Sequence, residues 1–267
     1  MAETIRLAVT VKAYPAGSSR YGEAVCVAGI RTDKARPEWV RLYPVDFRDL
    51  PPSQQFRKWS EIELAVRPSS DTRPESLKPD TATITSLREL GTQRNWRARR
   101  SLVEPLLVGS MCEVYERQQV DGTSLAAFRP HDVQDVVVQQ EAAEWTPEEL
   151  SRLSQLNLFA QDKELLEKVP WRWKYHYSCG GSCKGHEQSI IDWEIHQAWR
   201  KWRLRYGPQE AVEQVRKKWL AIAGPGWDTV FFVGNMHRHQ TSFLILGTYY
   251  PRAETPSEDV EHLQLGL

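Results

Sequence analysis

Trp171-Arg172-Trp173-Lys174-Tyr175-His176-Tyr177-Ser178-Cys179-Gly180-Gly181-Ser182-Cys183-Lys184-Gly185-His186 is the stretch on which the reading of this chain turns. Its first seven residues alternate, with Trp171, Trp173, Tyr175 and Tyr177 against Arg172, Lys174 and His176. That period of two predicts a strand with an aromatic face and a cationic face. His176, Cys179, Cys183 and His186 then follow with two, three and two residues between them. Zinc takes four sulfur and nitrogen donors in a tetrahedron, and donors separated by two to four residues can wrap one ion through a tight turn. Gly180, Gly181 and Gly185 supply the backbone freedom that such a wrap needs. The expectation is a zinc-stapled loop with His176, Cys179, Cys183 and His186 as ligands, the folding of the loop being coupled to the metal. Two free thiols in a Gly-rich loop are the alternative. His196, or the pair His237 and His239, could stand in for His176, and that pair could also grip a second ion.

Downstream, Glu187 to Tyr206 reads as a helix stopped by Gly207 and Pro208, and Gln209 to Ile222 as a second, with Val212, Val215 and Trp219 inward. Asp192 and His196 lie four apart on the first helix, with Glu194 turned away. If a divalent ion sat there, Asp192 and Glu194 would be the candidate catalytic residues of a metal-dependent nuclease. Ion pairing of these acids with Arg200 or Lys201 is the plainer reading.

Between Lys168 and Arg205 lie eight Lys or Arg against three acids, interleaved with seven Trp or Tyr. Cations neutralise phosphates and aromatic faces stack on unpaired bases, so the mixture points to nucleic acid. Arg172, Lys174, Arg200 and Arg203 are the expected phosphate contacts. Arg88, Arg94, Trp96, Arg97, Arg99 and Arg100 repeat the recipe on a helix predicted from Gln93 to Leu107, where Pro105 must kink or end it. A solvated face beside a buried Trp is the alternative there.

Upstream of all this the chain is rich in short strands. Ile5, Leu7, Val9 and Val11 alternate with polar residues, and a turn-rich patch from Tyr14 to Gly22 follows. Ala24 to Ile30 is an apolar run broken by Gly29, which marks a bulge or a close backbone approach. Trp39 to Tyr43 is two-faced, with Trp39, Arg41 and Tyr43 forming a candidate nucleic-acid contact face. Ile62 to Val66 alternates again, and Thr81 to Leu87 could add a strand. Together they predict a small antiparallel barrel of the OB or SH3 kind, with Gly122 to Pro130 and Val133 to Gln140 as strands that could close it. Thr146, Pro147 and Glu149 form an N-cap, a first-turn proline and a capping-box acid for a helix carrying Leu150, Leu153 and Leu156. A hairpin from Thr229 to Val233 and Phe243 to Tyr250 ends the ordered part.

The run Tyr21-Gly22-Glu23-Ala24-Val25-Cys26-Val27-Ala28-Gly29-Ile30, followed by Trp39-Val40-Arg41-Leu42-Tyr43-Pro44, resembles bacterial dual OB-containing domains. This resemblance implies an OB-type, nucleic-acid-binding front half. The runs Asp71, Arg73, Pro74, Glu75, Ser76 and Cys183, Gly185, His186, Asp192, Trp193, Glu194 resemble an uncharacterised bacterial protein family.

The sequence thus predicts an α+β protein. A β-barrel domain with a helical insertion occupies 1–145, a mixed α/β domain with the zinc loop 146–252, and a flexible tail 253–267. Charged residues balance to a net charge of zero, so any polyanion must be met by local patches. The 267 residues include four cysteines, with Cys26 and Cys112 standing alone; this is no disulfide framework and suits a reducing cytosol. Without a leader pattern or a long apolar run, a soluble cytoplasmic protein is expected. Its expected role is nucleic-acid binding with structural zinc, for single-stranded or modified nucleic acid in bacterial genome maintenance or defence. The rivals are a metal-dependent nuclease and a protein-interaction module that buries its tryptophans against a partner.

Overall fold

The computed structural model describes residues 2–14, 25–154 and 167–254, with the side chains of 152–154 left aside. Most of the turn-rich patch, Ala24, the side chain of Leu153, Leu156 and the tail beyond 254 therefore lie outside what is described. Strands β1 (Glu3–Lys12), β2 (Val25–Arg31), β3 (Trp39–Val45), β4 (Ser60–Pro68) and β5 (Ser76–Glu89) close into a barrel in the order β1-β2-β3-β5-β4. The barrel is not purely antiparallel. β5 meets β3 in parallel through Arg41↔Ser76 and Leu42↔Leu77, because the turn after β4 brings the start of β5 round to the free edge of β3. Ile5, Leu7, Val9, Val27, Val40, Leu42, Ile62, Leu64 and Val66 fill the interior, as their alternation predicts. Gly29 stands opposite Val9, where a Cβ would come within 2.4 Å of the Ala8 carbonyl oxygen, so only glycine allows this close pairing.

Helix α1 (Gln93–Val103) leaves the barrel, and strand β6 (Leu107–Val108) leads to helix α2 (Met111–Asp121). β7 (Leu125–Phe128) and β8 (Asp132–Gln140) do not close the barrel as expected. β7 pairs with β6 and with β11 (Val230–Met236), and β8 pairs with β9 (Trp171–Ser178), so that β11 and β9, from the second half of the chain, take both strands away from the barrel. Two sheets result, of order β12-β11-β7-β6 and β10-β9-β8, where β10 is His186–Ser189 and β12 is His239–Tyr249. Helix α3 (Pro147–Ser154) has the predicted capping box, the Thr146 and Glu149 side chains each bonding the other's backbone N–H. Helices α4 (Trp193–Tyr206) and α5 (Pro208–Ile222) follow β10 and pack on each other. The predicted helix from Glu187 begins late: Glu187 to Ser189 pair with β9, and Asp192 caps α4 by accepting the Glu194 N–H.

The aromatic wall of β9 is core. Trp173, Tyr175 and Tyr177 are fully buried with Phe128, Phe231, Ile195, Val215 and Trp219, and only Trp171 is half-buried. An apolar set on one face of a strand is driven inward wherever a second layer can cover it, and here α4, α5 and β11 do so.

The outer face of the barrel is apolar as well. Ala8, Val11, Ala28 and Ile30 pack against Leu125, Ala127, Val230, Phe232, Leu246 and Tyr249 of the second half. Buried polar contacts flank this seam. On one flank the Arg41 guanidinium donates to the Ser124 carbonyl (2.8 Å), the Ser124 hydroxyl (3.0 Å) and the Asn235 carbonyl (3.4 Å). Arg73, held by Asp71, donates to the same Asn235 carbonyl at 2.6 Å, and Glu75 accepts the N–H groups of Ser124 and Leu125. On the other flank Lys58 donates to Asp192 (2.9 Å) and Glu194 (3.0 Å). Burial alone would favour loss of the Lys58 proton, but the two carboxylates outweigh it and raise the amine's pKa.

Two substitutions test the flanks. Arg41→Ala leaves buried carbonyls without their charged donor, and urea unfolding should show a loss of about 3 kcal/mol. Lys58→Met strands the Asp192 carboxylate, which is 0% exposed, and should cost about 3–5 kcal/mol. A stability change within about 0.5 kcal/mol for either, the range of ordinary surface substitutions, would mean that its flank does not hold the seam.

Candidate metal centre and nucleic-acid interface

Helix α2 begins with Ser110 as N-cap, its hydroxyl accepting the Glu113 N–H at 3.1 Å, while the Glu113 carboxylate accepts the Gly109 N–H at 2.7 Å. Met111 and Val114 anchor the helix in the core, and Cys112 is thereby set in its first turn. Across from it the β9–β10 hairpin pairs His186 with Tyr177, and its loop doubles back through Gly180 and Gly181 at φ of +77° and +58°. A β-carbon is strained in that left-handed region. Cys112, Cys179, Cys183 and His186 converge, their ligand atoms all within 4.8 Å of one another. His186 Nε2 lies 3.5 Å from Cys112 Sγ, 3.3 Å from Cys179 Sγ and 3.2 Å from Cys183 Sγ. Tetrahedral geometry with zinc-like bond lengths asks for a sulfur to nitrogen separation of about 3.6 Å, so the cluster is close to ligating geometry.

Its electrostatics favour a cation. Burial, helped by the neighbouring cysteines, pushes the Cys112 thiol up to about 12, whereas N–H donation from the backbone of Cys179 and Gly185 pulls Cys183 down. Three sulfurs so close cannot all ionise without a positive charge among them. Burial lowers the pKa of His186, keeping its imidazole neutral, the form that ligates. Rings of Tyr115 and Tyr177 lie 6.0 and 5.2 Å from the imidazole and wall the site. This Cys3His cluster could hold a metal ion.

His176 is not among these donors. Tyr175 and Tyr177 point inward, so strand alternation turns His176 to solvent, and Cys112 takes the fourth place. The alternative donors are elsewhere too. His196 stacks on Tyr14 at 4.2 Å and donates from Nδ1 to the Asp192 carbonyl at 2.9 Å, burial lowering its pKa to about 4. His237 sits 3.2 Å from Asp71.

The face expected of Trp39, Arg41 and Tyr43 is taken up by the seam. Arg41 is 3% exposed, Trp39 packs edge-on against Phe232 at 5.7 Å, and Tyr43 is half-buried. Arg41 is therefore unavailable to a phosphate. The other four candidates are at the surface and paired: Arg172 with Glu141, Lys174 with Glu187 at 2.8 Å, Arg200 and Arg203 both with Glu167 at 3.3 and 2.8 Å. The structure separates them into two groups, Arg172 and Lys174 on β9 and the two arginines on α4. Asp192 and Glu194, the conditional catalytic pair, share Lys58 rather than Arg200 or Lys201. Asp192 is also the cap of α4, so both oxygens have partners inside the protein.

Sequence reasoning missed Cys112 because no local spacing ties it to the loop, and missed Lys58 because it reaches Asp192 from the barrel. An unpaired cysteine just inside a capping box, in a chain with two more in a Gly-rich loop, was the one available sign. No helix among the described residues is long and apolar enough to cross a membrane.

Residues 3–105 match a family described as a domain of unknown function, DUF8758, and residues 108–264 match another so described, DUF8757. These matches stand in place of the dual OB-containing domains that the N-terminal run resembles. No curated protein matches the chain. Among solved structures, a murine DNA-binding protein bound with double-stranded DNA is similar at 8% identity and a TM-score of 0.32, covering 96% of this chain and 100% of that one. At that level the similarity carries no argument about fold or ligand. The match over residues 108–264 takes in most of the chain and all four residues of the Cys3His cluster, and the protein belongs to the DUF8757 family.

Proposed function

We propose that this protein binds nucleic acid and that a structural zinc ion staples the half that does so. The observation that carries the proposal is the Cys3His cluster. Three sulfurs and one imidazole fill a tetrahedron with protein donors, which suits zinc and leaves no open position for a substrate or a catalytic water. The ion would join α2 to the β9–β10 hairpin, and so brace the strand that carries Arg172 and Lys174.

The nucleic-acid part rests on how the surface cations are held. Arg200 and Arg203 share the single carboxylate of Glu167, leaving one positive charge in excess. Arg172 and Lys174 have one acid each and are partly exposed. Exposed pairs of this kind are worth at most about 1 kcal/mol, so a phosphate can exchange for the carboxylate at little cost. The barrel, whose closed order sets β3 beside β5 as in the OB folds that often bind oligonucleotides, supplies no contact face of its own. In this chain the β2–β3 face is packed in the seam, so contact falls to the surface of the second half.

Elemental analysis should find one zinc per chain. Cys112→Ser should abolish it and lower the melting temperature, while His176→Ala should leave both unchanged; retention of zinc by Cys112→Ser would overturn the ligand set. Filter binding at low salt should detect nucleic acid, with affinity falling steeply as salt rises. No affinity, or affinity indifferent to salt, would overturn the binding role.

A further inference from the structure

Two stretches that are far apart in the sequence mix cations with aromatic rings, and the fold brings them to one carboxylate. On α1 the Arg99 guanidinium lies over the rings of both Trp59 and Trp96, at 4.8 and 4.7 Å. Trp96 continues into Tyr249 and Tyr250, at 5.3 and 5.5 Å. The other stretch is the α4–α5 hairpin, which holds seven Lys or Arg against three Glu in a chain whose net charge is zero. Arg200 and Arg203 are bound to Glu167, and Arg216 to Asp135 and Glu213. Lys201, Arg205 and Lys218 are exposed, and among the described residues none of them forms a close ion pair with a carboxylate. Lys201 and Arg205, four apart, share a face of α4. The Lys218 ammonium lies over Trp202 at 5.6 Å and so joins α5 to that side of α4.

Glu194 is the meeting point. Lys58, next in the chain to the Trp59 that Arg99 covers, donates to its carboxylate at 3.0 Å, and Lys201 and Arg205 follow Glu194 by seven and eleven residues on the same face of α4. Resting on the nucleic-acid reading above, we infer that the surface running from Lys201, Trp202, Arg205 and Lys218 past Glu194 to Arg99 and Trp96 is a track for single-stranded nucleic acid. Cations outside any close ion pair can neutralise phosphates, which is the charge complementarity that a polyanion requires. Trp96 and Trp202 are only half-buried, so ring surface remains for unpaired bases to stack on. A duplex keeps its bases stacked on each other and would use the charges alone.

Fluorescence anisotropy with a labelled mixed-sequence single strand, run across a salt series on the zinc-loaded full chain, tests this. The triple variant Lys201→Gln, Arg205→Gln, Lys218→Gln should bind at least tenfold more weakly, and its log-log salt slope should be shallower by about 2. Lys34→Gln with Arg36→Gln, exposed on the β2–β3 turn, should bind as the wild type does. Matching melting curves confirm that the variants are folded. If the wild type binds but the triple variant binds equally well, the track is wrong and the nucleic-acid role stands; if the wild type binds no nucleic acid, both fail. Tighter wild-type binding to the matching duplex would overturn the single-strand assignment. Equal affinity for polyglutamate, lost in the same variant, would make the surface one for acidic proteins and also overturn it.

Discussion

Burial of the barrel's outer face is the constraint on which the rest of this structure depends. In most small barrels the strands alternate between an apolar interior and a solvated exterior. Here β1 and β2 are apolar on both sides, with Leu7 and Val27 inward and Ala8, Ala28 and Ile30 outward. A second layer is then obligatory, and β7, β11 and β12 supply it. The two flanking polar networks fix the register of that layer, because Arg41, Arg73 and Glu75 satisfy backbone groups of Ser124, Leu125 and Asn235 that would otherwise be buried unpaired. The same packing takes Arg41 out of reach of any ligand, since its guanidinium is spent on Ser124 and Asn235 inside the joint.

The same logic redistributes charge. Where the chain is neutral overall, cations near the seam are matched by acids that reach across it, as Lys58 is by Asp192 and Glu194. Away from the seam, on α4 and α5, the acids run short and the arginines and lysines are left in excess. The Cys3His cluster lies at the far end of β9, where the first turn of α2 meets the loop between β9 and β10.

Much of the architecture was legible because local patterns decided it. Period-two alternation marked β1, β3, β4 and β9, the glycine in β2 announced a close approach, the capping residues placed α3, and Gly207 with Pro208 marked the break between α4 and α5. What could not be read were decisions made at long range. The alternation of β9 gave an aromatic face without saying which side would be covered, so Trp173, Tyr175 and Tyr177 passed for contact residues until α4, α5 and β11 closed over them. Trp39 and Arg41 misled for the same reason. β7 and β8 were recognisable as strands, but their partners, β11 and β9, lie downstream. Of the cluster, Cys179, Cys183 and His186 carried a local spacing signal, whereas Cys112 entered through a helix whose start, not whose sequence neighbours, sets its place.

The order in which the layers are joined has a consequence for how the chain comes into being. Its first strands present Ala8, Ala28 and Ile30 outward, while their cover includes Val230, Phe232, Leu246 and Tyr249, which are made more than 190 residues later. A barrel that closes early therefore waits with a bare apolar flank through most of translation. Contacts of such wide sequence separation form slowly, and an uncovered surface of this kind invites association with other nascent chains. Synthesis that stalls or is truncated before β11 would leave that flank exposed for good, since the residues that cover it would never be made.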